Sequence, residues 1–126
     1  MLKERLRYQL IEQARMGCPA TYRELAEGLA LTPPNTIRRV AEALEELVDE
    51  DAAAGRPLLA ALAISKTRPG MPAPGFFRKV GTLGLFTGEP NGREAIAFHA
   101  RELRRALLFY GRLYGRPDRG AETARS

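Results

Sequence analysis

The chain has 126 residues, 44% of them hydrophobic and 28% charged, enough for one compact domain with its own core and too short for two. It contains no run of about 18 apolar residues able to span a bilayer. The opening MLKERLRYQL is charged from its third residue and lacks the apolar core of a signal peptide, so a cytoplasmic protein is expected.

One cysteine, Cys18, cannot form an internal disulfide, and one histidine, His99, leaves too few soft ligands for structural zinc. No cofactor is expected. The net charge of +5 is unevenly spread. Residues 42–51, EALEELVDED, carry acids and no base, whereas residues 52–88 carry Arg56, Lys66, Arg68, Arg78 and Lys79 and no acid. Such a division favours an anionic partner, a phosphate backbone for instance, on one side.

Residues 2–16 place Leu2, Leu6, Leu10, Ile11 and Ala14 at helical spacing, and the pattern stops at Gly17 and Pro19. Thr21 with Glu24 three residues on fits a capping box, so a short second helix is expected to start there and end near Ala30 or Leu31. Thr32-Pro33-Pro34 reads as the start of a third helix, from about Pro34 to Asp51, because proline lacks an N–H that the first turn cannot use. Ile37, Val40, Ala41, Leu44, Leu47 and Val48 form its apolar stripe, and Asn35, Arg38 and Arg39 lie off it. Two short helices joined tightly, the second presenting polar side chains from its first turns, fit a helix-turn-helix.

The run PLLAALAIS at 57–65 suits a buried strand, although periodicity alone also permits helix. Its context favours the strand, because KTRPGMPAPG at 66–75 excludes regular structure and reads as a basic wing. Phe76, Phe77, Val80, Leu83 and Leu85 then return the chain to the core, through a short helix if Gly81 and Gly84 permit one. After a loop at 87–92, a last helix from about Arg93 to Tyr114 carries one stripe with Ile96, His99, Leu103, Ala106 and Tyr110 and another side with Phe98, Phe109, Arg101, Arg105 and Arg112. Residues 1–114 are expected to form the domain, and the polar, small-residue segment 115–126 a disordered tail. The fold class expected is mainly α with a small β element: a winged helix-turn-helix plus a C-terminal helix.

In order and spacing, TYRELAEGLA at 21–30, IRRVAEAL at 37–44 and RPLLAALAISKTRPGMPAPGFF at 56–77 resemble the C-terminal DNA-binding domain of the O6-alkylguanine DNA alkyltransferases and alkyltransferase-like proteins. Tyr22, Leu25 and Ala26 match that family's first helix motif, with Arg23 in place of its usual glycine. Arg38, Val40, Ala43 and Leu44 match its recognition helix, in which the arginine helps to hold a base or its gap in the duplex; Ala41 and Glu42 depart from it. Where the family has Pro-Cys-His-Arg, this chain reads Leu59-Ala60-Ala61-Leu62-Ala63-Ile64. Alkyl transfer needs an activated thiolate, so the resemblance implies a scaffold and DNA binding without that activity. Residues 56–77 also resemble a module of small bacterial proteins of unassigned function.

The expectation is a non-enzymatic regulator or chromatin-associated protein that binds double-stranded DNA. Asn35, Thr36, Arg38 and Arg39 would contact the groove, and Lys66, Arg68, Arg78 and Lys79 the phosphates beside it. The other reading is a protein-interaction or homodimerisation module on the same scaffold, using Phe98 and Phe109 of the last helix. Cys18 is read as a small reduced filler, His99 as a packing residue, and the acids of 42–51 as a solvated face.

Overall fold

A computed structural model describes residues 2–68 and 70–113. Its elements are α1 (Leu2–Met16), β1 (Ala20–Thr21), α2 (Tyr22–Gly28), α3 (Thr36–Ala54), a 3-10 helix (Leu59–Leu62), β2 (Ala63–Ile64), α4 (Pro74–Thr82) and α5 (Arg93–Leu113). The protein is therefore mainly helical with one small sheet. Residues 115–126, expected to be a tail, and Tyr114 lie outside the described residues, as do the side chains of Arg112 and Leu113. No helix among the described residues is long and apolar enough to cross a membrane.

Local chemistry explains most boundaries. Thr21 Oγ1 accepts the Glu24 N–H at 3.0 Å while the Glu24 carboxylate accepts the Thr21 N–H at 2.9 Å, so the expected capping box forms and starts α2. Helix α2 ends with the Leu31 N–H bonded to the Ala26 carbonyl and the Ala30 N–H to the Glu27 carbonyl, a Schellman closure. Such a closure puts one residue in the left-handed region. The same pattern closes α1, α3 and α4 on Gly17, Gly55 and Gly84, whereas α2 uses Ala30, at φ 57°.

The run 57–65 departs from the expected strand. Only Ala63 and Ile64 are extended, and they pair in parallel with Ala20 and Thr21; Leu59–Leu62 coil into the 3-10 helix. The cause is the setting, since α1, α3 and α5 all pack on this segment and bury Leu58 to Ala63. Two residues of β1 are all the ladder on offer, so most backbone groups of the segment must find partners on side chains. They do so. Asp51 accepts from the Leu59 N–H at 3.1 Å, Glu102 accepts from the Leu58 N–H at 2.8 Å, Tyr110 donates to the Pro57 carbonyl at 2.8 Å, and His99 Nε2 lies 2.9 Å from the Ala61 carbonyl.

Those contacts also turn α5. Its buried line is Ala95, Phe98, His99, Glu102, Ala106 and Tyr110, so Phe98 is in the core rather than on a second face, and Ile96 is exposed. Burying the Glu102 carboxylate against Leu58 sets that rotation. Phe98 meets Phe86 at a centroid distance of 5.3 Å, and Phe76 meets Phe77 edge-on at 5.2 Å, which joins α4 and α5 through an aromatic cluster. Helix α4 begins at Pro74, inside the stretch 66–75 expected to exclude regular structure, because a proline's missing N–H and fixed φ suit a first turn.

Candidate nucleic-acid interface

Helix α3 starts at Thr36, two residues later than expected, and runs on to Ala54. Asn35 precedes it at φ 62°, in the left-handed region, with its side chain making no cap hydrogen bond. Its carbonyl accepts the Arg39 N–H at 2.9 Å, the first bond of the helix. The first turn carries no acid. Its N–H groups, the positive end of the helix dipole and the exposed side chains of Asn35, Arg38 and Arg39 thus share one corner, with Thr36 partly buried among them.

Arg38 is 69% exposed and only loosely paired, its Nε 3.7 Å from a Glu42 oxygen. Arg39 reaches the Thr32 carbonyl at 3.5 Å and no carboxylate among the described residues. Ile37, expected on the apolar stripe, is 43% exposed beside them. Val40, Ala43, Leu44, Leu47 and Val48 are enough to seat the helix, which leaves Ile37 beyond the edge of the core.

The four residues expected to hold phosphates beside the groove separate. Lys66 and Arg78 are exposed and hold no carboxylate among the described residues. Arg68 is turned inward: it donates to the Pro72 carbonyl at 3.2 Å and to the Pro90 carbonyl at 2.6 Å, with its guanidinium 5.8 Å from the centre of the Phe77 ring. It joins two loops. Lys79 pairs with Asp49 at 2.9 Å, about 16 Å along α3 from Arg38 at the rise of a helix. The loop that carries Lys66 and Arg68 closes on itself through Ser65 N–H to the Met71 carbonyl at 2.7 Å and Met71 N–H to the Arg68 carbonyl at 2.8 Å. It is a compact turn. No second strand follows it, because the chain enters α4.

The acidic segment is less of a solvated face than its composition suggests. Glu50 meets Lys3 and Arg7, Asp51 meets Arg7 and Arg56, Asp49 meets Lys79, and Glu42 meets Arg38. Glu50 titrates below the usual carboxylate range, held there by its hydrogen bonds to Lys3 and then Arg7. Glu45 keeps no such partner among the described residues. Bases from α1, from Arg56 and from α4 thus neutralise much of the repulsion that this half of α3 would exert on phosphate.

Tyr22, which the resemblance matches, and Cys18, expected to be a small filler, lie outside this corner. Tyr22 Oη accepts the Ala73 N–H at 2.9 Å, fastening α2 to the start of α4, and burial pushes its phenol up. Cys18 is exposed, and the Gln13 amide donates to its carbonyl at 3.0 Å. Sequence reading did not find the buried Asp51 and Glu102, since both sit in a charged pattern. The available signal was an acid at core spacing: Glu102 falls between Phe98 and Ala106, and Asp51 follows Leu47 by one turn. Among the described residues no group of acids, histidines and cysteines is placed to hold a metal.

Comparison with known protein families, curated proteins and solved structures finds no match to this chain.

Proposed function

We propose that the chain is a non-enzymatic DNA-binding protein of winged helix-turn-helix type that presents the N-terminal end of α3 to the duplex. The observation that carries this reading is the uncapped first turn of α3 with Arg38 and Arg39 beside it. An anion at a helix N-terminus gains from free N–H groups and from the dipole together, and a phosphate supplies that anion. Arg38, Asn35 and Thr36 then face base edges or the flanking backbone, and Arg39 a phosphate. Lys66 and Arg78 add contacts outside the groove. Arg68 and Lys79 drop to supporting roles, because their cations are already engaged.

The test is fluorescence anisotropy with a labelled duplex of about 30 base pairs between roughly 50 and 200 mM salt. About four phosphate contacts give a log–log salt slope near −3.6. A duplex that fails to bind at the lowest salt rejects the reading.

A protein-interaction module is the second reading, favoured by one observation. Leu108 and Phe109 on α5 are 52% and 39% exposed, and Ile96 is 58% exposed on the same helix. Phe98 is not available to it. Sedimentation velocity separates the two: self-association that Phe109→Ser abolishes, in a protein that ignores DNA, supports the second.

A further inference from the structure

A second concave site lies away from the α3 N-terminus. The end of α3, residues 55–58, Leu85 and one side of α5 enclose a cleft of about 320 Å³ lined by Arg56, Arg101 and Arg105, by Leu58, Leu85 and Phe98, and by Glu102, whose carboxylate is taken up by Arg105 and the Leu58 N–H. Two of these arginines are held from beneath by buried carboxylates. Arg56 donates Nε and Nη2 to Asp51 at 3.2 and 3.0 Å, and Arg105 donates Nη1 to Glu102 at 2.6 Å. Asp51 and Glu102 are buried, while the guanidinium side chains of Arg56 and Arg105 remain 39% and 55% exposed. A guanidinium has five N–H donors in a fixed fork, so each of the two keeps unused donors after bonding its carboxylate.

Arg101 stands one turn before Arg105 and meets no carboxylate among the described residues. Asp51 and Glu102 offset the charges of Arg56 and Arg105, so the uncompensated positive charge of the cleft is that of Arg101, with the unused guanidinium donors of the other two beside it. Anchored guanidinia lose little rotamer freedom on binding, which favours a bidentate oxyanion there. The exposed apolar part of the lining is Leu85, with only the edge of the buried Phe98 reached beside it, and it accepts a short apolar group that the oxyanion carries. Leu85 is 46% exposed for an aliphatic side chain. A volume of 320 Å³ lies at the small end of the range for ligand pockets.

We propose that this cleft binds a small amphiphilic oxyanion, its carboxylate or phosphate head on Arg101 and Arg105 with Arg56 behind, and a short apolar body on Leu85 and Phe98. Binding here would bridge α5 to the end of α3, the same helix whose other end is offered to DNA. The proposal does not depend on DNA binding, and Arg101 is remote from the residues assigned to it.

The experiment is a 1H–15N correlation titration of the full chain with phenyl phosphate, phenylacetate, inorganic phosphate and benzyl alcohol. The expected result is saturable shifts at Leu58, Leu85, Phe98 and Arg101 with phenyl phosphate or phenylacetate. The tighter of the two identifies the head group. Inorganic phosphate should bind about tenfold more weakly, benzyl alcohol not at all, and Arg101→Ala should weaken the organic anion about tenfold. Arg101 makes no hydrogen bond among the described residues, so this variant should keep its fold, which unchanged shifts elsewhere would verify. Arg38→Glu with Arg39→Glu should leave the titration unchanged. The proposal is overturned if neither organic anion gives saturable shifts in the cleft, if Arg101→Ala binds as the parent does, or if inorganic phosphate binds as tightly as phenyl phosphate.

Discussion

The Asp51 carboxylate accepts the backbone N–H of Leu59 at 3.1 Å, tying the last turns of α3 to the irregular segment at the centre of the molecule. Its other oxygen is shared by Arg7 at 2.9 Å and Arg56 at 3.0 and 3.2 Å. A fully buried carboxylate is tolerable only when both oxygens are satisfied, and here they are. Asp51→Ala strands a buried N–H and removes one partner from each of two cations. Breaking such a group costs about 3–5 kcal/mol. Arg7 keeps Glu50 and Arg56 is partly solvated, so a loss near the lower end, about 3 kcal/mol, is expected. Asp51→Asn, which retains an acceptor and the shape, should lose less. Urea unfolding measures both, and a loss for Asp51→Ala below about 1 kcal/mol would reduce the network to a surface ion pair.

Ala30 should be better as glycine. It occupies the left-handed position of the α2 closure, at φ 57°, in an exposed site. A residue with a Cβ pays about 1 kcal/mol there, and α1, α3 and α4 each use glycine in the equivalent place. Ala30→Gly should therefore stabilise the protein by up to about 0.6 kcal/mol, since the greater freedom of glycine in the unfolded chain takes back about 0.4–1 kcal/mol of the strain relieved. A lower thermal midpoint than the parent would refute the relief of strain.

How far the sequence could be read follows from which interactions are local. The capping box of Thr21 and Glu24 and the end of α1 at Gly17 involve neighbours in the chain, so residue type and spacing suffice, whereas α3 runs three residues past the expected Asp51 to close on Gly55 and α4 starts at Pro74 inside a stretch read as irregular. The strand expected at 57–65 failed for a non-local reason. An apolar run says that a segment is buried, but only the surrounding α1, α3 and α5 decide that Leu59–Leu62 coil and that the backbone from Pro57 to Ala61 finds its partners on Asp51, Glu102, His99 and Tyr110. The turn of α5 that buries Phe98 has the same origin. Among the candidate contact residues, exposure of Arg38 and Arg39 followed from helical periodicity, whereas the inward turn of Arg68 depends on Pro90 and Phe77, far along the chain.

His99 and Tyr110 give the stability two pH limits. Burial pulls the His99 imidazole down, with the Ala61 carbonyl acting in the opposite direction. Since a carbonyl only accepts, Nε2 carries the proton of the neutral ring. The unfolded chain protonates His99 near pH 6.5, before the native state does, so stability falls as pH drops from about 6.5 to the lower native value and changes no further through this group. His99→Gln should flatten that window in unfolding measured from pH 7 downward. Tyr110 is pushed up to about 12, by burial first and then by the Asp51 charge. The unfolded phenol ionises near pH 10 while the native one stays neutral, so stability falls as pH rises between about 10 and 12. Tyr110→Phe should reduce that alkaline loss to the share of Tyr22, whose phenol burial also raises. A parent protein of constant stability across either window would contradict the assigned environment.

Separating binding from folding requires variants at the two kinds of arginine. Arg38→Glu with Arg39→Glu reverses the charge of two exposed side chains at the start of α3, and one of these holds only a loose partner. The pair should leave the unfolding free energy from urea titration within about 0.5 kcal/mol of the parent, yet abolish duplex binding at about 50 mM salt. Arg39→Ala alone, which removes one phosphate contact, should reduce the salt slope by about 0.9. Arg68→Ala should do the reverse. Its guanidinium bonds the Pro72 and Pro90 carbonyls, so its loss should destabilise by about 1.5–3 kcal/mol and leave duplex affinity nearly unchanged while the protein is folded. If Arg68→Ala weakens the duplex as much as the double reversal does, the contact surface lies on the 65–73 turn and α3 is not the element that meets DNA.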